Sequence, residues 1–242
     1  MGKFLLWVLI LVMVVNTLSC LGCLEEERIA LLHVNTHILN TTYGNSLDSW
    51  VEDKMSDCCK WSRVTCSNIT GRVIGLYLSF VSYERVENWY INATVYLPFK
   101  HLNSLDLTRN NIAGVVENGG FDKLSKLRNL KELDLSYNNL NRNIFSSLSH
   151  LLSLKELYLD ENPLDSPHNN SDNIGHERLS GLNNLEILHM RSTKMEENNV
   201  LSALNLKDFI NLKDLDISEN KFQSFEPIKG IGGREMFLKH LC

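Results

Sequence analysis

LKELDLSYNNL, residues Leu130–Leu140, is followed 24 residues after its start by LKELYLDENPL, residues Leu154–Leu164. Both follow the pattern L-x-x-L-x-L-x-x-N-x-L. It recurs as LNSLDLTRNNI from Leu102, LEILHMRSTKM from Leu185 and LKDLDISENKF from Leu212. A degenerate earlier copy is VIGLYL, Val73–Leu78. Successive starts lie 28, 24, 31 and 27 residues apart. Self-similarity at such a period is the signature of a solenoid, in which each unit buries its apolar face only by stacking on the next. Leu105 and Leu107 alternate with Asp106 and Thr108, as a half-buried strand requires. One strand per repeat is therefore expected in a parallel sheet. Asn110, Asn138, Asn162 and Asn220 follow the strands. Their side-chain amides can satisfy turn backbone groups that would otherwise be unpaired. The fourth repeat carries Thr193 there, a weaker substitute.

A period of three appears between the strands. Phe121, Leu124, Leu127 and Leu130 follow it, as do Phe145, Leu148, Leu151 and Leu154, and Leu206, Phe209 and Leu212. This spacing suits short 3₁₀-like turns that fill the core behind the sheet. IAGVV after Asn111 and LNRNI after Asn139 loosely suit a second short strand. The long spacing from Leu154 to Leu185 holds SPHNNSDNIGHERLSG, a polar stretch that reads as an inserted loop. His168, Asp172 and His176 within it lack zinc-type spacing, so no metal is expected.

The chain of 242 residues has a net charge of −5, which argues against a general nucleic-acid binder. MGKFLLWVLILVMVVNTLSCLGC opens it with a positive Lys3 and an unbroken apolar run from Phe4 to Val15. Cys20 and Gly22 stand at the small positions of a cleavage site before Cys23, so residues 1–22 read as a secretory signal peptide. Clustered cysteines in an oxidising compartment read as disulfides. Cys23, Cys58, Cys59, Cys66 and Cys242 remain, an odd number. Asn40, Asn68, Asn92 and Asn169 begin Asn-x-Ser/Thr sequons and are the expected glycosylation sites.

CLEEERIALLHV, LDSW, DCCKWSRVTC and GRVIGLYL, spanning Cys23 to Leu78, resemble the N-terminal cap of plant extracellular leucine-rich-repeat proteins. The layout is most similar to plant receptor-like proteins. That family has an extracellular repeat solenoid, one membrane span and a short cytoplasmic tail without a kinase. The resemblance implies two cap bridges, Cys23 with Cys58 and Cys59 with Cys66. Read from its residues, EEERIALLHVNTHIL is an amphipathic helix with Ile29, Leu32, Thr36 and Leu39 on its apolar face and acids in its first turn. A solenoid end needs such a cap to stay soluble, and one so small needs staples. Trp50 and Trp61 are expected over the first repeat's core. The expected fold is an α/β repeat solenoid: a leucine-rich-repeat horseshoe with a parallel β-sheet on the concave face and a disulfide-bonded helical cap. The expected parts are the signal peptide (1–22), the cap (23–70) and about six repeats (71–242), the last incomplete. FLKHLC starts a sixth repeat and stops mid-strand, so a truncated product is expected, with Cys242 at an ordinary strand position. The L-x-G-x-I-P continuation usual in plant repeats is degraded, which fits receptor-like proteins better than the polygalacturonase-inhibitor type.

The function expected from the resemblance is extracellular recognition of a peptide or protein ligand in defence or development. Signalling would pass through a co-receptor kinase of the plasma membrane. The alternatives are a secreted binding or inhibitor module and a truncated product without function. The chain is expected in the secretory pathway, at the plasma membrane or secreted. Outward positions beside the strand leucines include nine acids and two arginines, Arg109 and Arg191. Such a surface steers a basic partner. Tyr137, Tyr158 and His189 are the expected anchors, with Asp134, Asp160 and Arg191 beside them. G-x-S-x-G, H-E-x-x-H and phosphate-loop motifs are absent, so neither enzyme activity nor a cofactor is expected.

Overall fold

The computed structural model describes residues 23–39, 47–82, 89–164, 178–196, 204 and 209–221. The signal peptide, the sequons at Asn40 and Asn169, the stretch His168 to His176 and the last incomplete repeat lie outside the described residues.

The leucine pattern produces one short strand per repeat. Among the described residues the strands are β1 (Val64–Cys66), β2 (Val73–Tyr77), β3 (Trp89–Ile91), β4 (Ser104–Asp106), β5 (Ile112–Val115), β6 (Glu132–Asp134), β7 (Glu156–Tyr158), β8 (Ile187–His189) and β9 (Asp214–Asp216), of which β2, β4, β6, β7, β8 and β9 are the repeat strands. Seven of them form one sheet in the order β1-β2-β4-β6-β7-β8-β9. Only β1 is antiparallel; from β2 onward every pairing is parallel. The register places Leu76, Leu105, Leu133, Leu157, Leu188 and Leu215 in one column, all buried. Residues on either side of that column face the opposite way, because side chains alternate along a strand. The second-strand pattern after Asn111 becomes β5, which pairs with β3 in a separate two-stranded sheet. The stretch after Asn139 forms no strand. The period-three run from Phe121 is a 3₁₀ helix, Phe121–Lys126. The run from Phe145 differs: Ile144–Leu148 is a short α-helix that buries Ile144, Phe145 and Leu148.

Asparagine side chains join the repeats. Asn138 donates to Leu107 O of the preceding repeat and to Leu135 O of its own, while its Oδ1 accepts from the amides of Asn110 and Ile112. Asn162 donates likewise to Leu135 O and Leu159 O, and Asn220 to Met190 O and Ile217 O. Thr193 donates to Met190 O of its own repeat and reaches no carbonyl of the repeat before it. A second ladder runs along the other end of the strands. Asn129 donates to Lys100 O, Asn184 to Leu152 O and Asn211 to Asn183 O.

The cap is tied on covalently and ionically. Helix α1 (Glu25–Leu39) buries Glu27, Arg28, Ala30, Leu31, Val34 and Ile38. This corrects the face expected from sequence, since Ile29 is 42% exposed and Thr36 is exposed too. Two charged residues lie on the covered face because both are paired. Glu27 accepts from Arg72 Nε at 2.9 Å and from the Val73 amide at 3.1 Å. Arg28 donates to both carboxylate oxygens of Glu25. Cys23 is bonded to Cys58, with Cα atoms 5.6 Å apart, and Cys59 to Cys66, at 5.5 Å. Asp57 caps the 3₁₀ turn Cys58–Lys60 through the Cys59 amide, which lets the two adjacent sulfurs diverge. Trp50 and Trp61 are buried and stacked, ring centroids 5.9 Å apart.

Candidate ligand-binding face

Two columns of side chains cover the concave side of the sheet. The first runs Ser104, Glu132, Glu156, Ile187, Asp214, and the second Tyr77, Asp106, Asp134, Tyr158, His189, Asp216. Aspartates of the second column serve the fold. Oδ1 of Asp106 accepts from the Thr108 amide at 2.8 Å, Asp134 from Ser136 at 2.8 Å and Asp216 from Ser218 at 2.9 Å. Each closes the turn at the end of its own strand, as Asx side chains do. Ser104, Ser136 and Ser218, three of the outward positions, are buried beneath their neighbours.

Two adjacent repeats depart from this scheme. Tyr158 and His189 stand in register with the turn-closing Asp106, Asp134 and Asp216; Tyr77, at the cap end of the column, is the third position without that aspartate. Their rings meet edge to face, 5.1 Å apart at 88°. The Tyr158 hydroxyl donates to Glu156 Oε2 at 2.9 Å. Burial, then that hydrogen bond, then the nearby charges of Glu156, Glu132 and Asp134 hold the phenol well above its usual range. His189 Nε2 lies 3.8 Å from Asp214 Oδ1, close enough for an ion pair once the imidazole is protonated. Asp160 bridges the two repeats by accepting from the Arg191 amide at 2.7 Å. Burial raises its carboxyl, against the lowering influence of that hydrogen bond and of His189. The result is an aromatic pair set among acids, in a geometry suited to a cationic side chain. Carboxylates attract the charge and ring faces receive it.

Of the six residues expected to bind a partner, the structure gathers Tyr158, His189 and Asp160 around this centre, with Asp134 beside Tyr158 in register. Asp134 is committed to the Ser136 turn. Arg191 contributes its backbone amide, while its guanidinium pairs with Glu219, which also accepts from Ser192 Oγ at 2.9 Å. That pairing holds Glu219 below its usual value and Arg191 above. Tyr137 belongs to a neighbouring ridge. There, one residue per repeat has a left-handed backbone: Phe80 (φ 59°), Arg109 (56°), Tyr137 (56°), Glu161 (53°), Ser192 (55°) and Glu219 (54°). Such a conformation is costly for residues other than glycine. From Phe80 to Ser192 it is sustained because the amide, as in Arg109 to Ser136 O and Tyr137 to Asp160 O, continues the parallel ladder beyond the strand.

Beside the strands, Glu186 is held between Lys155 (2.5 Å) and Lys213, spanning three repeats, and the two lysines lower its carboxyl to about 2. The two described sequons sit in contrasting places. Asn68 is exposed in the turn between β1 and β2. Asn92 is half-buried, and its Oδ1 accepts from the Thr94 amide and hydroxyl at the start of a 3₁₀ helix, Ala93–Tyr96. Among the described residues, no group of His, Cys, Asp and Glu could hold a metal ion.

Comparison with known proteins places these features. A leucine rich repeat N-terminal domain model matches residues 24–67, and a leucine rich repeat model matches residues 100–164. Cuscuta receptor 1 of Solanum lycopersicum is 39% identical over 229 residues, covering 92% of this chain and 20% of that protein. Receptor like protein 21 of Arabidopsis thaliana is 34% identical, covering 92% of this chain and 22% of that protein. The chain thus spans about a fifth of the length of the curated relatives it matches. Among solved structures, a plant ice-binding protein matches with a TM-score of 0.54 and 22% identity, covering 83% of this chain and 65% of that one. The ectodomain of the Arabidopsis thaliana membrane receptor kinase GASSHO1/SCHENGEN3, in complex with CASPARIAN STRIP INTEGRITY FACTOR 2, matches with a TM-score of 0.51 and 24% identity, covering 80% and 24%. At these identities the structural likenesses show the fold alone.

Proposed function

The chain belongs to the plant leucine-rich-repeat receptor-like proteins, and from that premise we propose that it supplies part of an extracellular surface that recognises a basic segment of a peptide or protein ligand. The observation that carries this reading is the replacement of the turn-closing aspartate by Tyr158 and His189 in two successive repeats. The fold uses an aspartate there in Asp106, Asp134 and Asp216; where it gives one up, the position is free for a partner. Glu132, Glu156, Asp160 and Asp214 surround the pair with negative charge. A lysine or arginine of the ligand would settle against the rings, with its charge balanced by Glu156 and Glu132.

In this mechanism the solenoid is a rigid scaffold. Its strands repeat about every 4.8 Å, so a ligand lying across them reads successive repeats with successive residues. A co-receptor kinase would read the bound ligand together with the receptor, which places recognition at the cell surface, with residues 1–22 directing the chain into the secretory pathway. Random-peptide display against the whole chain tests the reading. Enriched sequences should be rich in Lys and Arg and should bind Tyr158→Ala about tenfold more weakly, the scale of an aromatic anchor. Enriched peptides without basic residues, or ones that bind Tyr158→Ala equally well, would contradict it.

A further inference from the structure

Arg109 is the exception on this acidic face. It stands on the left-handed ridge between Phe80 of the preceding repeat and Tyr137 of the next. Its guanidinium carbon lies over both rings, 5.1 Å from the Phe80 centroid and 4.0 Å from that of Tyr137. Both distances are within cation–π range. The two rings are 47% and 44% exposed, so the cluster faces solvent. Among the described residues no carboxylate lies within ion-pair distance of Arg109. Arg191, the other arginine of this face, is by contrast neutralised by Glu219.

A guanidinium covered on its faces keeps its in-plane N–H edge for hydrogen bonding. That edge matches a planar two-oxygen acceptor and is already held in one orientation, so little freedom is lost on binding. We propose that Arg109, positioned by Phe80 and Tyr137, is an anion-binding point for a carboxylate of the protein or peptide ligand. This assignment goes beyond the basic-segment reading at Tyr158 and stands on separate residues. Tyr137 thereby acts as a positioning residue for Arg109. Arg109 is two repeats before Tyr158, roughly 10 Å along the sheet at about 4.8 Å per strand. A ligand that engages both points carries its acid toward the cap and its base toward the later repeats.

The test uses a set of acetylated, amidated hexapeptides. One end is Glu or Gln and the other Lys-Lys or Gln-Gln, each labelled with an uncharged fluorophore and read by anisotropy against the whole chain. The Glu form should bind about twofold to fivefold more tightly than the Gln form, the scale of a solvent-exposed ion pair. Arg109→Gln should abolish that preference. Arg109→Lys, which keeps the charge without the planar fork, should lose most of it, as should Tyr137→Ala. A Gln peptide with a free C-terminus separates a terminal carboxylate from a side-chain one: tighter binding than its amide, lost in Arg109→Gln, supports the terminal source. Thermal unfolding of each variant confirms that it is folded. The Lys-over-Gln preference in the same set reads the Tyr158 centre independently, so either assignment can fail alone. Equal or unmeasurable binding of Glu and Gln forms with no gain from the free C-terminus, or a preference that survives Arg109→Gln, would overturn the proposal.

Discussion

The junction between the cap and the first repeat can be set against the concave face of the later repeats, because both are built on glutamates. At the junction, Glu27 is fully buried, and its two oxygens take the Arg72 guanidinium and the Val73 amide. On the face, Glu156 is half-buried and bonded to the phenol of Tyr158. The first carboxylate has its charge matched within the fold. The second sits beside further acids with no cation of its own among the described ion pairs. A matched buried charge holds structure, whereas an unmatched one at the surface waits for a partner.

Breaking the junction should give the largest effect. Glu27→Ala leaves Arg72 and the Val73 amide without an acceptor, and removing one member of a buried pair costs about 3–5 kcal/mol. Urea unfolding should show that loss. Binding at the concave face, measured where the variant is still folded, should stay unchanged, whereas Glu156→Gln should do the reverse.

The joins between repeats sharpen the same comparison at smaller scale. Asn138 bonds to backbone carbonyls of its own and the preceding repeat, while Thr193 reaches Met190 O of its own repeat and Asn220 Oδ1 of the next but no carbonyl of the one before. Thr193→Asn should restore the missing link to Leu159 and add about 1 kcal/mol, the net worth of one buried hydrogen bond. A midpoint that rises in urea without a change of slope would show it. An unchanged or lowered midpoint would mean that this repeat cannot close as the others do.

How far these features were legible in sequence follows from what each depends on. The leucine columns and the asparagine ladder depend on one residue type at one repeated place, so aligning the copies exposes them. The second ladder of Asn129, Asn184 and Asn211 stands in an equally regular column, one residue before Leu130, Leu185 and Leu212, and could have been found the same way. Tyr158 and His189 were legible as aromatic residues in an aspartate column. The face of α1 was not: it is buried through Glu27 and Arg28, and an apolar count passes over charges that have partners. Nor was the placing of Arg109 over two rings. It arises from a left-handed residue in each of three repeats, with Phe80 in a copy too degenerate to show the full pattern. Burial of Ser104, Ser136 and Ser218 likewise depends on neighbours across the sheet.

The central claim is that the acids around Tyr158 and His189 select a basic ligand segment. Its most direct test is the anisotropy of the Lys-Lys peptide on the wild-type chain and on Glu132→Lys/Glu156→Lys, at low and physiological salt. The account predicts tighter binding at low salt, and a loss of about tenfold or more on charge reversal at unchanged thermal stability. Equal affinity for both proteins, insensitive to salt, would contradict it.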